Sequence, residues 1–308
     1  MRSPNAERRI AGREAITQPI KATGPRTRTP SDTNPSAAAH PTSAHAQNQR
    51  QSARCARNVG CKAATRTPLP FTESIARELP PAYATYARGV RRLVLFDLDN
   101  TLVDRAEGFR LWAERFIAQR SLDLAELPWL EAADGDGFKP RAEFFAEVSA
   151  RYAIAEPIAD LVAGYRIDYP PCIPGPSEET RAALLGLRAL GWKIGIVTNG
   201  SRTQEAKITG TGLDQLVDGW VISEVVGVRK PELAIFRTAA EVCGCPLRGG
   251  WMVGDNAEAD IAGASASGLS SAWISRCRTW REPTYGPTLI ASSVAEAVSE
   301  ILVRQDSR

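Results

Sequence analysis

Five consecutive residues, Asp97-Leu98-Asp99-Asn100-Thr101, place two carboxylates two positions apart directly after the apolar run Leu93-Val94-Leu95-Phe96. Paired acids at that spacing can divide a hydrolysis between them. One attacks an electrophile and becomes acylated or phosphorylated; the other gives a proton to the leaving oxygen and then takes one from water. Three further places in the sequence set polar residues just after an apolar run: Thr198-Asn199-Gly200, Lys230-Pro231, and Asp255 followed by Asp260. Both histidines, His40 and His45, lie far upstream. The body of the chain therefore lacks the imidazole of a Ser/His/Asp triad, a Cys/His pair, a phosphohistidine or a His-ligated metal. Its chemistry must run on carboxylates, lysine and hydroxyls, with or without a hard metal ion.

These residues need elements that bring them together. Apolar runs at 93–96, 193–197, 220–222, 251–253 and 271–274 have the pattern of strands buried on both faces of a parallel sheet. Helical patterns at 178–190, 203–209, 232–242, 257–266 and 294–303 lie between or beyond them. Such alternation predicts βαβ units and an α/β core with a doubly wound, Rossmann-like parallel sheet. The ligand crevice of that fold lies beyond the carboxyl ends of the strands, where the polar residues converge. Residues 105–175 break the rhythm with no buried strand but with amphipathic helical patterns such as 108–120 and 141–152, which predicts an inserted helical cap. Its exit, Tyr169-Pro170-Pro171-Cys172-Ile173-Pro174-Gly175-Pro176, reads as a stiff hinge. The expected division is 1–89 as an N-terminal extension, 90–104 with 176–308 as the core, and 105–175 as the cap. Phe109, Trp112, Trp129, Phe138, Arg141, Tyr165 and Arg166 could line a leaving-group pocket. Aromatics at helical spacing are nevertheless core more often than ligand contacts.

Phe96-Asp97-Leu98-Asp99-Asn100-Thr101-Leu102 resembles the first signature of the haloacid-dehalogenase superfamily. Val197-Thr198-Asn199-Gly200-Ser201 is similar to the second, Arg229-Lys230-Pro231 to the third, and Gly254-Asp255-Asn256-Ala257-Glu258-Ala259-Asp260 to the fourth. The four follow in order over residues 92–277. The resemblance implies an aspartyl-phosphate intermediate on Asp97, with Asp99 as general acid and base. It also implies Mg²⁺ held by Asp97, Asp255 and the backbone carbonyl of Asp99, since two acids and a phosphoryl group in one pocket demand a hard cation. Lys230 offsets the charge on the nucleophile and phosphoryl oxygens, and Thr198 and Asn199 contribute to phosphate binding with nearby amides. Asp260 orients Lys230 or the waters of the metal, Thr101 fixes the loop after Asp99, and Glu258 faces solvent. Members that hydrolyse C–Cl bonds lack the second acid, so the retained Asp99 favours phosphate-ester hydrolysis. The segment around Arg229-Lys230-Pro231-Glu232 and Ile235-Phe236 resembles the branch of nucleotidases, N-acylneuraminate-9-phosphatase and phosphoglycolate phosphatase. A small phosphorylated metabolite is the expected substrate. The alternatives from other classes are a catalytically silent scaffold of the same fold and a signalling receiver.

Composition sets the remaining bounds. At 308 residues with 43% hydrophobic and 24% charged content, the chain is an ordinary globular one. Residues 1–70 carry 12 of the 38 Lys and Arg but 3 of the 35 Asp and Glu, which leaves a mildly acidic body of 26 against 32. The net charge of +3 thus gives no argument for a nucleic-acid partner. Residues 1–70 are poor in large aliphatics, which predicts disorder. They read either as a transit peptide or as upstream sequence before a misassigned start near Val90, and residues 71–88 could form a short helix. No apolar run predicts a membrane span. The expectation is a cytoplasmic monomer or homodimer. Six scattered cysteines, among them the close pair Cys243 and Cys245, read as packing thiols.

Overall fold

The computed structural model describes residues 92–306. The expectations of disorder over 1–70 and of a helix over 71–88 fall outside those residues.

Strand β1 (Leu93–Phe96) is buried along its whole length. Its side chains alternate between two apolar cores, Val94 and Phe96 entering one and Leu93 and Leu95 the other. That two-sided burial explains why it reads as an unbroken apolar run. After it the chain leaves the sheet and forms helices only: α1 (Arg105–Gln119), α2 (Leu127–Asp134), α3 (Arg141–Tyr152) and α4 (Ile158–Asp168). Asp104 starts α1 by accepting from the backbone N–H of Glu107 at 2.9 Å, which satisfies one of the donors a helix start leaves open. A single turn at Pro170–Cys172 ends the insertion.

The chain then returns through α5 (Glu178–Ala189) and β2 (Lys193–Thr198), α6 (Thr203–Gly210) and β3 (Gly219–Ile222), and α7 (Ser223–Val226) and α8 (Leu233–Val242). It continues into β4 (Trp251–Gly254), a π-helical turn at Ala257–Ala262, α9 (Gly263–Ala266), β5 (Ser270–Ile274), β6 (Leu289–Ala291) and α10 (Val294–Asp306). Among the described residues the sheet has six strands in the order β3-β2-β1-β4-β5-β6, every neighbouring pair parallel. The strand order reverses between β1 and β4, the place where such sheets open a crevice at their carboxyl ends. Helix α8 covers one face through Ile235, Phe236, Ala239 and Ala240; α5 and α10 cover the other through Leu184, Leu187, Val298 and Ile301. The doubly wound fold expected from the sequence is the fold observed.

The sixth strand is the departure from the expected five. It is three residues long, and its central Ile290 is 53% exposed, so no buried run announces it. No helix among the described residues is long and apolar enough to cross a membrane.

The insertion is held by aromatic packing continuous with one face of the sheet. Trp112 lies 4.8 Å from Tyr165, 5.1 Å from Phe116 and 5.4 Å from Phe109 between ring centroids. Phe109, Trp112 and Tyr165 are therefore core, while Phe138 is exposed and Arg141 pairs with Asp134 at 2.7 Å. Trp112→Ala is expected to cost about 3–5 kcal/mol through the cavity it leaves, read as a lowered urea midpoint. A loss below about 1 kcal/mol would contradict a central packing role. Cys243 and Cys245 lie in the core beneath α8, and burial pushes the Cys243 thiol up to about 12, which suits packing rather than redox chemistry.

Candidate active site

Asp97 is the first residue beyond β1. Its backbone N–H donates to the Val253 carbonyl of β4 at 2.9 Å, so the sheet itself fixes where the side chain emerges. The turn that follows is tied by backbone bonds: Asn100 donates to the Val103 carbonyl, and Leu102 and Val103 both donate to the Leu98 carbonyl. Asn100 adopts φ of 61°, a left-handed conformation that Asn tolerates better than most residues. Leu98 is fully buried between the two acids. The Thr101 hydroxyl is buried without a hydrogen-bond partner, so backbone bonds rather than this side chain tie the loop.

The carboxylates of Asp97, Asp255 and Asp260 offer oxygens within 4.8 Å of one another, and all three residues are buried. Lys230 places its ammonium among them, 2.5 Å from Asp97 Oδ1 and 2.7 Å from Asp260 Oδ1. Asp260 accepts from the Asn256 N–H at 2.9 Å through its other oxygen. Asn256 in turn caps the π-helical turn by accepting from the N–H of Ala259 at 2.8 Å. That turn delivers Asp260 back beneath Asp255. Gly254 permits the approach, since a Cβ there would collide with the Asp260 carboxylate. Glu258, on the same turn, is exposed as expected.

Lys230 pairs with two of the carboxylates and Arg276 and Arg278 with the third, yet these cations do not offset the burial of Asp97 and Asp255. Burial is the largest influence on Asp97; Lys230 opposes it, and Asp260 and Asp255 add to it, pushing the carboxyl up to about 8. Asp255 rises to about 6 through burial, with Arg276 and Arg278 opposing. A buried cluster that resists full ionisation is a receptive place for a divalent cation. Its donors are all hard carboxylate oxygens, which suit Mg²⁺ better than a thiophilic metal. The residues present thus fit the expected ion, with Asp97 and Asp255 as ligands and Asp260 beside them.

Asp99 turns elsewhere. Both of its oxygens accept from the Lys207 ammonium at 2.8 Å, and Gln204 Nε2 donates to Oδ2 at 2.8 Å. Burial works against its ionisation, but Lys207, then Arg105 and Gln204, outweigh it and hold the carboxyl below its usual range. Its side chain lies outside the three-carboxylate cluster, leaving only its backbone carbonyl for the expected metal role. Gln204 also donates to Thr198 Oγ1 at 2.8 Å, and Thr198 is 1% exposed at the end of β2. Asn199 sits differently from the phosphate-binding expectation. Its carboxamide accepts from the Lys230 N–H and donates to the Lys230 carbonyl, both at 2.9 Å. It therefore fixes the backbone that carries the lysine, and the peptide from Lys230 to Pro231 is cis.

Four residues enter the site without having been foreseen. Gln204 and Lys207 stand three apart on the inward side of α6, and their only signal in sequence is a polar pair on a helix that must face the sheet. Arg276 and Arg278 follow β5 and close on Asp255 Oδ2 at 3.1 and 3.2 Å. Arg276 reaches Asp136 of the helical insertion as well, at 2.9 Å, and Asn100 donates to the other Asp136 oxygen at 3.1 Å. Through Asp136 the insertion reaches the site.

Comparison with known proteins agrees with this geometry. The sequence profile of the haloacid dehalogenase-like hydrolase family matches residues 91–268. The pyrimidine 5'-nucleotidase YjjG of Escherichia coli is 43% identical over 127 residues, covering 41% of this chain and 55% of that protein. The chain thus spans little more than half the length of that relative. A glyceraldehyde 3-phosphate phosphatase of Methanothermobacter thermautotrophicus is 28% identical over 194 residues, covering 58% of this chain and 84% of that one. Among solved structures, the magnesium-bound HAD-hydrolase YfnB of Bacillus subtilis shares the fold with a TM-score of 0.58 at 22% identity, over 70% of this chain and 99% of that one. Six parallel strands, four signatures at their carboxyl ends and a profile match across the core together establish that this chain belongs to the haloacid dehalogenase-like hydrolase family.

Proposed function

We propose that the protein is a Mg²⁺-dependent phosphatase that hydrolyses a small phosphorylated metabolite through an aspartyl-phosphate intermediate on Asp97. The observation that carries this reading is the Asp97 carboxylate at the mouth of the sheet, 2.5 Å from Lys230 and clustered with Asp255 and Asp260. Similarity to a pyrimidine 5'-nucleotidase and a glyceraldehyde 3-phosphate phosphatase supports it.

In the first half-reaction an oxygen of Asp97 bonds to phosphorus as the bond from phosphorus to the leaving oxygen breaks; Asp99, ionised in the free enzyme, takes up a solvent proton as the anionic ester enters beside it and passes that proton to the leaving oxygen, which departs as an alcohol. In the second, water attacks phosphorus, Asp99 takes a proton from it, and Asp97 is released as a carboxylate. The sum is ester plus water giving alcohol plus phosphate. Lys230 and the Thr198 hydroxyl face the negative charge that builds on the phosphoryl oxygens. When bound, Mg²⁺ neutralises the charge that nucleophile and phosphoryl group bring together.

The test is phosphate release from nucleoside monophosphates, sugar phosphates, glyceraldehyde 3-phosphate and phosphoglycolate, with Mg²⁺ and with chelator. Release from at least one, abolished by chelator and restored by Mg²⁺, is expected. Silence across the panel, or release indifferent to chelator, overturns the reading.

A further inference from the structure

Two buried polar side chains of α6 serve no packing need that an apolar residue would not serve better. Lys207 and Gln204 are each 4% exposed, and a desolvated ion pair contributes little net stability compared with apolar packing of the same volume. Their placement follows the reacting groups instead. The Lys207 ammonium is 2.8 Å from both oxygens of Asp99, with the Tyr169 ring 5.0 Å away. Tyr169 comes from the exit of the helical insertion and stacks on Tyr165 at 4.7 Å. Lys207 thus stands between the Asp99 carboxylate and an aromatic wall.

Gln204 joins two groups that act on different atoms of one substrate. A primary carboxamide nitrogen has two protons; here one goes to Asp99 Oδ2 and one to Thr198 Oγ1. Accepting from Gln204 leaves the single proton of the Thr198 hydroxyl free to point at a phosphoryl oxygen. Gly200 makes room for the bridge, since a Cβ there would stand 2.8 Å from the Gln204 side chain.

We propose that Lys207 and Gln204 are positioning residues: they fix the Asp99 carboxylate, and with it the proton donor to the leaving group, relative to the Thr198 hydroxyl that binds the phosphoryl group. The proposal rests on the phosphatase reading above. Neither side chain touches substrate. Their effect is to hold a short, otherwise rotatable carboxylate in place during folding rather than at every turnover.

Leaving groups differ in how much they need that proton, which separates positioning from general damage. A nitrophenolate departs without a proton, whereas an alkoxide does not. Single-turnover release of the leaving group is measured with Mg²⁺ for p-nitrophenyl phosphate and for the best alkyl phosphate found in the panel. Lys207→Met is expected to slow alkyl release by about 10²-fold or more, in keeping with the loss of an acid catalyst, while changing nitrophenol release by less than about 10-fold and KM little. Lys207→Arg should recover part of the loss. In an Asp99→Asn background, Lys207→Met should add nothing further, because the two act as one unit. Gln204→Leu should slow both substrates, since it disturbs Thr198 as well.

An equal fall for both leaving groups in Lys207→Met, an undiminished alkyl rate, or an additive loss in the double variant overturns the positioning role. A wild-type enzyme that releases neither leaving group instead overturns the phosphatase reading.

Discussion

Asp97→Asn is expected to lower kcat by at least about 10⁴-fold, because the proposed mechanism has no other nucleophile to replace it, and to leave the metal-free protein as stable as before or more so. The two effects have one origin. Asp97 carries a carboxyl whose ordinary value of 3.8 is pushed up to about 8 by burial and by its acidic neighbours, against the pull of Lys230. Between those values the folded state binds a proton that the unfolded chain has released. Stability of the metal-free protein therefore falls as pH rises from about 4 to about 8. Asp255, raised to about 6, acts in the same direction. An asparagine at 97 keeps the shape, removes one of the crowded charges and flattens part of that slope. The check is a pair of thermal melts in chelator at pH 5 and pH 8, beside a phosphate-release assay in Mg²⁺. A variant that melts well below the wild type at pH 8, or that retains more than about one per cent of its kcat, would be incompatible with this account. Saturating Mg²⁺ should raise the melting temperature of the wild type at pH 8, because binding to the folded state alone stabilises it.

Lys230→Met should lose both activity and stability. The lysine is 3% exposed and lies within 2.7 Å of two carboxylates. Removing it leaves Asp97 and Asp260 buried without their cation, and breaking a buried pair in that way costs about 3–5 kcal/mol. For a folded unit of this size the melting temperature should drop by on the order of 10 °C, with kcat lower by about 10²-fold or more for want of charge stabilisation. The drop in melting temperature should be smaller at pH 5 than at pH 8, since Asp97 can then take a proton and the cluster carries less charge. A melting temperature equal to that of the wild type at pH 8 would mean that the lysine does not hold the cluster together. The contrast with Asp97→Asn is the informative part: adjacent members of one buried cluster should respond to neutralisation with opposite signs in stability.

Sequence made the framework of this site legible because chemistry and fold are written in the same places. Each of the runs 93–96, 194–197 and 251–253 is free of polar side chains for being buried on both faces of the sheet, and each ends where a polar residue must emerge. Asp97, Lys230, Asp255 and Asp260, expected together from residue type and place in the chain, do lie together, and Thr198 closes β2 as expected. Asn199 shows where types stop sufficing, because one carboxamide can bind an anion or clamp a neighbouring backbone, and only the 2.9 Å bonds to Lys230 separate the two. Arg276 and Arg278 were out of reach for a different reason. They lie in a loop beyond β5, Arg276 has a left-handed φ of 47°, and no periodicity marks a loop residue that folds back onto a strand end. Gln204 and Lys207 sit between these cases. Helical periodicity places them inward, but an inward polar pair has meaning only once Asp99 is seen to face it. Helices α2 and α4 show the same limit in the insertion, where Leu161 and Tyr165 are the only buried residues of α4 and so leave a weak apolar stripe.

The position of β1 in the sheet has a bearing on how the protein comes to be folded. The strand is early in the described chain yet central in space, pairing with β2 on one side and β4 on the other. Val94 meets Trp251 only after the helical insertion and the whole β2-to-β3 half have been made. Asp97, the proposed nucleophile, therefore follows a strand that stays half-paired through most of synthesis, and long-range parallel pairing of this kind is slow to form. A nascent chain halted before β4 would carry Asp97 next to an open strand edge, prone to misassociation. Activity should therefore appear late and in one step, when β4 docks and brings Asp255 and Asp260 to the acid that preceded them.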